Sequence, residues 1–149
     1  MVLTLDSSEA KQRFGAVHDE VRRQHIVAVQ HYKKTWGMVI APALVSRALG
    51  EALPPDPLHV QYQPLDAEDG GGMALWQPTL KLHAQGDTVD AARTAMVLAA
   101  LDYADQYLDR LDYYLHTDKA RDLPYVLLIV AAQAGDNGVF RLLFPAVTG

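Results

Sequence analysis

The run Asp66-Ala67-Glu68-Asp69-Gly70-Gly71-Gly72 constrains this chain most tightly. Three acids and three consecutive glycines do not build a buried element. Glycine enters positive φ without steric penalty, so the run reads as a tight polar turn. The flanking residues read as strands. His59, Gln61 and Gln63 alternate with Val60 and Tyr62, the period-two pattern of a strand with one wet face, over 58–64. Met73–Gln77 and Thr79–Gln85 predict two more strands. Gly86 ends the last of them, and Asp87 is placed to cap a helix that Thr88 opens.

That helix is predicted to run from Thr88 to about His116. Val97, Leu101, Ala104, Leu108, Leu111 and Leu115 form a heptad seam, and Met96, Ala100, Tyr103, Tyr107 and Tyr114 form a second apolar stripe beside it. One stripe suffices to cover a thin sheet, leaving the other for the N-terminal helices or a second subunit. Asp102, Asp105, Asp109 and Asp112 share the remaining face. They read as a solvated face or as a docking surface for a basic partner. Beyond a charged connector, Tyr125–Gln133 is a continuous apolar run, the pattern of a buried strand. Ala134–Gly138 then reads as a hairpin turn and Val139–Phe144 as the return strand.

The N-terminal third reads as helical. Asp6-Ser7-Ser8-Glu9 is a helix start, and Phe14, Val17, Val21, Ala28 and Tyr32 continue one stripe, which predicts a helix over 7–35. The alternation at His25–Val29 offers a strand as the alternative. Pro42 opens a second helix ending at Gly50 or Leu53, followed by the stiff Pro54-Pro55-Asp56-Pro57. This gives a helical hairpin over 1–53 and an α+β domain over 58–149. Two helices joined by a turn invite comparison with helix-turn-helix repressors. In that comparison Ser46 and Arg47 fall on the recognition helix, although the first helix lacks the usual compact spacing.

The strand–turn–strand–strand–helix segment resembles the HicB-like antitoxin family. The resemblance rests on Glu68-Asp69-Gly70-Gly71, on Ala74 and Pro78 in the second strand, and on Gln85-Gly86-Asp87-Thr88 leading into Val89-Asp90-Ala91-Ala92. Lys81-Leu82-His83-Ala84 stands where that family usually has Pro-Gly-Cys. The structural motif so marked is Gly70, Gly71, Gly86, Asp87 and Thr88. The resemblance implies a degenerate ribonuclease H-like core that has lost its catalytic acids. It also implies a non-enzymatic module that neutralises a small basic HicA-like RNA-cleaving toxin.

Composition narrows the remaining classes. The 149 residues suit one domain with an appendage, and the absence of cysteine excludes disulfides and thiolate metal sites. The net charge of −5 argues against broad nucleic-acid binding and suits a basic protein partner. The first residues lack a basic, apolar leader, and Val126–Ala132 is too short to cross a membrane, so a soluble cytoplasmic protein is expected. His18, His25 and His31 lack the spacing of a helical zinc site, so no metal or cofactor is expected. Asp66, Glu68, Asp69 and Asp87 belong to turns and caps, which accounts for them without nuclease catalysis. The rival functions are a homodimeric interaction protein with no toxin partner and a transcription regulator reading DNA through the N-terminal helices.

Overall fold

The computed structural model describes residues 3–23 and 26–147. The chain is α+β and divides into two compact units, Met1–Ala48 and Leu49–Gly149.

The first unit is built around a sheet rather than a helical hairpin. β1 (Leu3–Asp6) leads into α1 (Ser7–Gln12) and α2 (Phe14–Arg22), and β2 (Ile26–His31) and β3 (Lys34–Ile40) follow. β1 pairs parallel with β2, and β2 antiparallel with β3. The Asp6 carboxylate accepts from Ser8 N at 2.7 Å and Glu9 N at 2.9 Å, a side-chain cap that starts the helical segment where the sequence signals it. The helix expected over 7–35 instead breaks at Arg13 and ends at Arg22, and Ile26-Val27-Ala28-Val29 is extended. β-Branched residues favour the pleated conformation, and here they bury Val27 and Val29 against the unit's own interior. His25 lies outside the described residues. Leu5, Val17 and Val27 form the small core. α3 (Pro42–Ala52) starts at its proline as expected and spans the division between the units.

The second unit opens with the antiparallel sheet β4 (Gln61–Pro64), β5 (Met73–Gln77), β6 (Leu82–Gly86) in that order. α4 (Val89–Asp109) and α5 (Leu111–Leu115) follow, separated at Arg110, so the helix expected to reach His116 is two helices. The cap also differs from expectation. Thr88, not Asp87, is the N-cap, its hydroxyl accepting from Ala91 N at 3.0 Å, while Asp87 is exposed. Gly72 and Gly86 bring the turn, the sheet and the helix together. A Cβ on Gly72, at φ +94°, would strike the Gly86 carbonyl, and one on Gly86 would sit 2.5 Å from Ala92 N. Gly70 and Gly71 adopt the positive φ that their turn requires.

The C-terminal hairpin is absent. α6 (Leu123–Ala132) and α7 (Gly138–Leu143) stand where two strands were expected, so this sheet keeps three strands among the described residues. Pro124 occupies the first turn of α6, and Val126, Leu128, Ile129 and Ala131 are buried. A helix wrapped on several sides is apolar nearly all round, and its sequence loses the amphipathic period. The core joins Leu58, Leu75, Leu80, Met96, Tyr107 and Ile129.

Two polar side chains work inside this core. Gln77, wholly buried, donates from Nε2 to His59 O at 3.2 Å and accepts at Oε1 from Leu80 N at 2.7 Å. Asp122, also buried, precedes α6, where the helix dipole favours a carboxylate, and it accepts from the Tyr103 hydroxyl at 2.6 Å. Burial first, and then the Asp122 hydrogen bond, push the Tyr103 hydroxyl far above the ordinary tyrosine range.

Two outcomes follow for denaturant unfolding. Thr88→Ala is expected to lose about 1 kcal/mol, and Asp87→Ala no more than about 0.5 kcal/mol. Tyr103→Phe is expected to lose about 1.5–3 kcal/mol at neutral pH, because it removes a hydrogen bond to a buried charge. The folded pKa of Tyr103 is raised, so its contribution is complete below the unfolded value of 10.0 and declines as pH rises beyond it. The phenylalanine variant should therefore lose stability less steeply in alkali than the parent.

Candidate functional site

Charge is divided unequally between the units. Lys and Arg outnumber Asp and Glu seven to four through Ala48, and beyond it the acids lead fourteen to six. Each unit therefore offers a surface of a different sign.

In the second unit α4 is the platform. The side of it that is buried carries Ala92, Met96, Ala100, Ala104 and Tyr107, so the stripe containing Met96, Ala100 and Tyr107 covers the sheet and the later helices. The heptad seam is only partly used. Val97, Leu101 and Leu111 are half-buried, while Leu108 and Leu115 are exposed. Asp102, Asp105 and Asp109 are exposed on the opposite face of α4, and by helical spacing Leu98, 58% exposed, shares that face. Asp112 is also exposed but stands on α5, beyond the break. The row of four is thus three carboxylates on one rigid helix and a fourth past a bend. Arg110, at the bend, lays its guanidinium 4.6 Å from the Tyr113 ring centre. Tyr107 donates to Lys119 O at 2.8 Å and stacks on Tyr114 with ring centres 4.9 Å apart, which ties the bend to the loop before α6.

The other end of α4 is held by Arg93. Its Nε donates to the Tyr62 hydroxyl at 3.2 Å, its Nη1 pairs with Asp90 at 3.2 Å, and its guanidinium lies over the Tyr62 and Phe144 rings. The hydrogen bond to Tyr62 is the main cause of the raised pKa of Arg93. The open face of the sheet carries a depression of about 480 Å³ with no charged lining, where Trp76 packs on His83 at 4.1 Å.

In the first unit Ser46 is half-buried and Arg47 exposed, both on α3. α3 follows a strand, not a helix, so the two do not stand in a helix-turn-helix. The feature missed from sequence is the β2–β3 turn. His31 pairs with Lys34 across Tyr32 and Lys33, and both turn residues have positive φ, 50° and 62°. The turn carries no Asn-Gly, Asp-Gly or similar pair, so no local signal marks it in the sequence. Among the described residues no three side chains of metal-binding type converge. No helix among the described residues is long and apolar enough to cross a membrane.

Comparison with known proteins bears on both units. A crystal structure of an antitoxin part of a candidate toxin/antitoxin system from Syntrophomonas wolfei subsp. wolfei superposes with a TM-score of 0.61 at 15% identity, covering 93% of this chain and 92% of that one. At that identity the likeness is one of fold. No curated protein matches. Residues 1–144 match the PHD-like family, described as the antitoxin of a toxin–antitoxin system, RelE/RelB. That match takes in nearly the whole chain and both of its units, well beyond the segment that resembles HicB-like proteins, and the chain belongs to this PHD-like antitoxin family.

Proposed function

We propose that this antitoxin is a non-enzymatic, cytoplasmic homodimer whose acidic second unit captures a small basic RNA-cleaving toxin and whose basic first unit binds DNA. The observation that carries the reading is the opposite charge of the two units. A surface that must compete with RNA for lysines and arginines needs carboxylates on a rigid support. Asp102, Asp105 and Asp109 on α4, with Asp112 beyond its end, supply them beside exposed Leu98. The family description points to a RelE-type partner. The β4–β5–β6–α4 order favours a second reading, a HicA-like toxin. Purification from the native host with mass spectrometry of the bound protein separates the two.

The homodimer is argued from the first unit. Met38 is 61% exposed and Phe14 70%, and Leu44 and Val45 on α3 are only half-buried. So much uncovered apolar surface on so small a unit favours a second copy. Ser46 and Arg47 belong to this DNA-directed half of the reading.

Rim charges act mainly on association rate and are individually weak. Changing all four acids to lysine should slow toxin capture at least about tenfold at low salt, while each single change alters it little. The circular dichroism spectrum should be unchanged, because all four side chains are exposed. Capture at the parental rate would end the docking assignment. Light scattering should report a dimer at micromolar concentration, and a monomer there would remove the assembly half of the reading.

A further inference from the structure

We propose that the pocket between the β5–β6 turn and the 3₁₀ turn Asp118–Asp122 binds a single phosphate group, as the free ion or as the terminal monoester of a small metabolite, through Lys81, Lys119 and Arg121. The site belongs to the second unit and rests on neither the toxin reading nor the DNA reading. That unit carries fourteen acids and only six lysines and arginines. Three of the six, Lys81, Lys119 and Arg121, line this one cavity of about 220 Å³. The two acids that line it are already engaged. Asp122 is buried and accepts from the Tyr103 hydroxyl at 2.6 Å, and Asp118 pairs with Arg121 at 3.5 Å. Arg121 also donates from Nε to Asp118 O at 3.0 Å, which leaves further guanidinium N–H groups for a ligand.

The other two cations lack a counter-charge. Lys119 places its Nζ 5.5 Å from the Tyr103 ring centre and 6.0 Å from that of Tyr114, and makes no ion pair among the described residues. The Lys81 side chain makes no ion pair, hydrogen bond or ring contact among the described residues. Lys81 also has φ +58°, the left-handed region that glycine and asparagine enter readily and lysine does not. A side chain kept at an unfavourable backbone position, with no partner in the fold, points to a use outside it. Two ammonium groups and a guanidinium fork match a compact oxyanion. Drug-sized ligands take pockets of roughly 300–1,000 Å³, so this smaller cavity suits a smaller molecule. The acidic surroundings repel a long polyanion such as nucleic acid, which leaves a small one as the ligand.

The test is isothermal titration of the full chain with inorganic phosphate and, separately, with ribose 5-phosphate, the ionic strength being held constant with chloride. One site per chain is expected, and saturating phosphate should raise the melting temperature by several degrees. Lys81→Asn removes the cation at a backbone position that asparagine enters readily. Without phosphate that variant should melt no lower than the parent, and it should bind phosphate at least about tenfold more weakly. Lys119→Gln should weaken binding likewise, while keeping the Lys119 carbonyl that accepts from Tyr107. Lys11→Ala removes a lysine of the first unit and should bind as the parent does. Tighter binding of ribose 5-phosphate assigns the site to a phosphorylated metabolite, and tighter binding of inorganic phosphate assigns it to the free ion. No saturable heat with either probe overturns the proposal. Parental affinity in Lys81→Asn and Lys119→Gln overturns it as well, and so does an equal loss in Lys11→Ala, which would make the effect one of net charge. A lower melting temperature of Lys81→Asn without phosphate would show that the lysine serves the fold, and the proposal would fall.

Discussion

The small residues along one side of α4 decide how the second unit is put together. Ala92, Ala100 and Ala104 leave nothing between helix and neighbours but backbone and Cβ, so the helix settles close to the sheet and to α6. Only Met96 and Tyr107 add bulk to that buried stripe, and the tyrosine reaches the far wall to donate to Lys119 O. Close approach has a second effect at the start of the helix, where Gly86 lies against Ala92 and no side chain fits. A helix buried this firmly on one side must put its charged residues on the other. The acidic face is thus a geometric result of the packing as well as a candidate binding surface.

How much of this could be read from sequence depended on whether the local pattern had one physical solution. The 73–86 segment did. Its alternation and its glycines point to strands and a helix start, and β5 lies where the alternation puts it, although β6 begins at Leu82 rather than Thr79 and Thr88 rather than Asp87 caps the helix. The N-terminal third did not. Phe14, Val17, Val21, Ala28 and Tyr32 are spaced as on a helix, but only Val17 and Val21 pack from α2 onto the core, and the continuation through Ala28 and Tyr32 is an accident of β2 following α2. The apolar run from Tyr125 failed for the opposite reason. A helix covered on several sides has no wet face to write a period, and Pro124 was the better clue. At the site, the exposure of the four acids was expected from their shared face, whereas the break at Arg110, which puts Asp112 on another helix, has no sequence marker comparable to a proline or glycine.

Opposite charge within one compact domain has a physical cost. A single domain carrying both surfaces would set its own cations against its own acids, and each would screen the other from an outside partner. Here the cations are concentrated before Ala48 and the acids after it, so each unit carries its own sign of net charge. In the function proposed above, toxin capture and DNA binding would share a salt dependence without sharing residues.

Gln77 acts as a key for strand register. It is the one side chain at its level of β5 that both gives and takes a hydrogen bond inside the core, joining His59 O to Leu80 N. Slide β5 by a single residue, and either Trp76 or Pro78 comes to that place. Indole has a donor and no acceptor, so Leu80 N would be stranded, and the proline side chain has neither, so both backbone groups would be stranded away from water. A glutamate there would keep the shape and the acceptor while losing the donor. The sheet on which α4 rests is therefore checked for alignment by one amide, which tells the correct pairing from its nearest mistake.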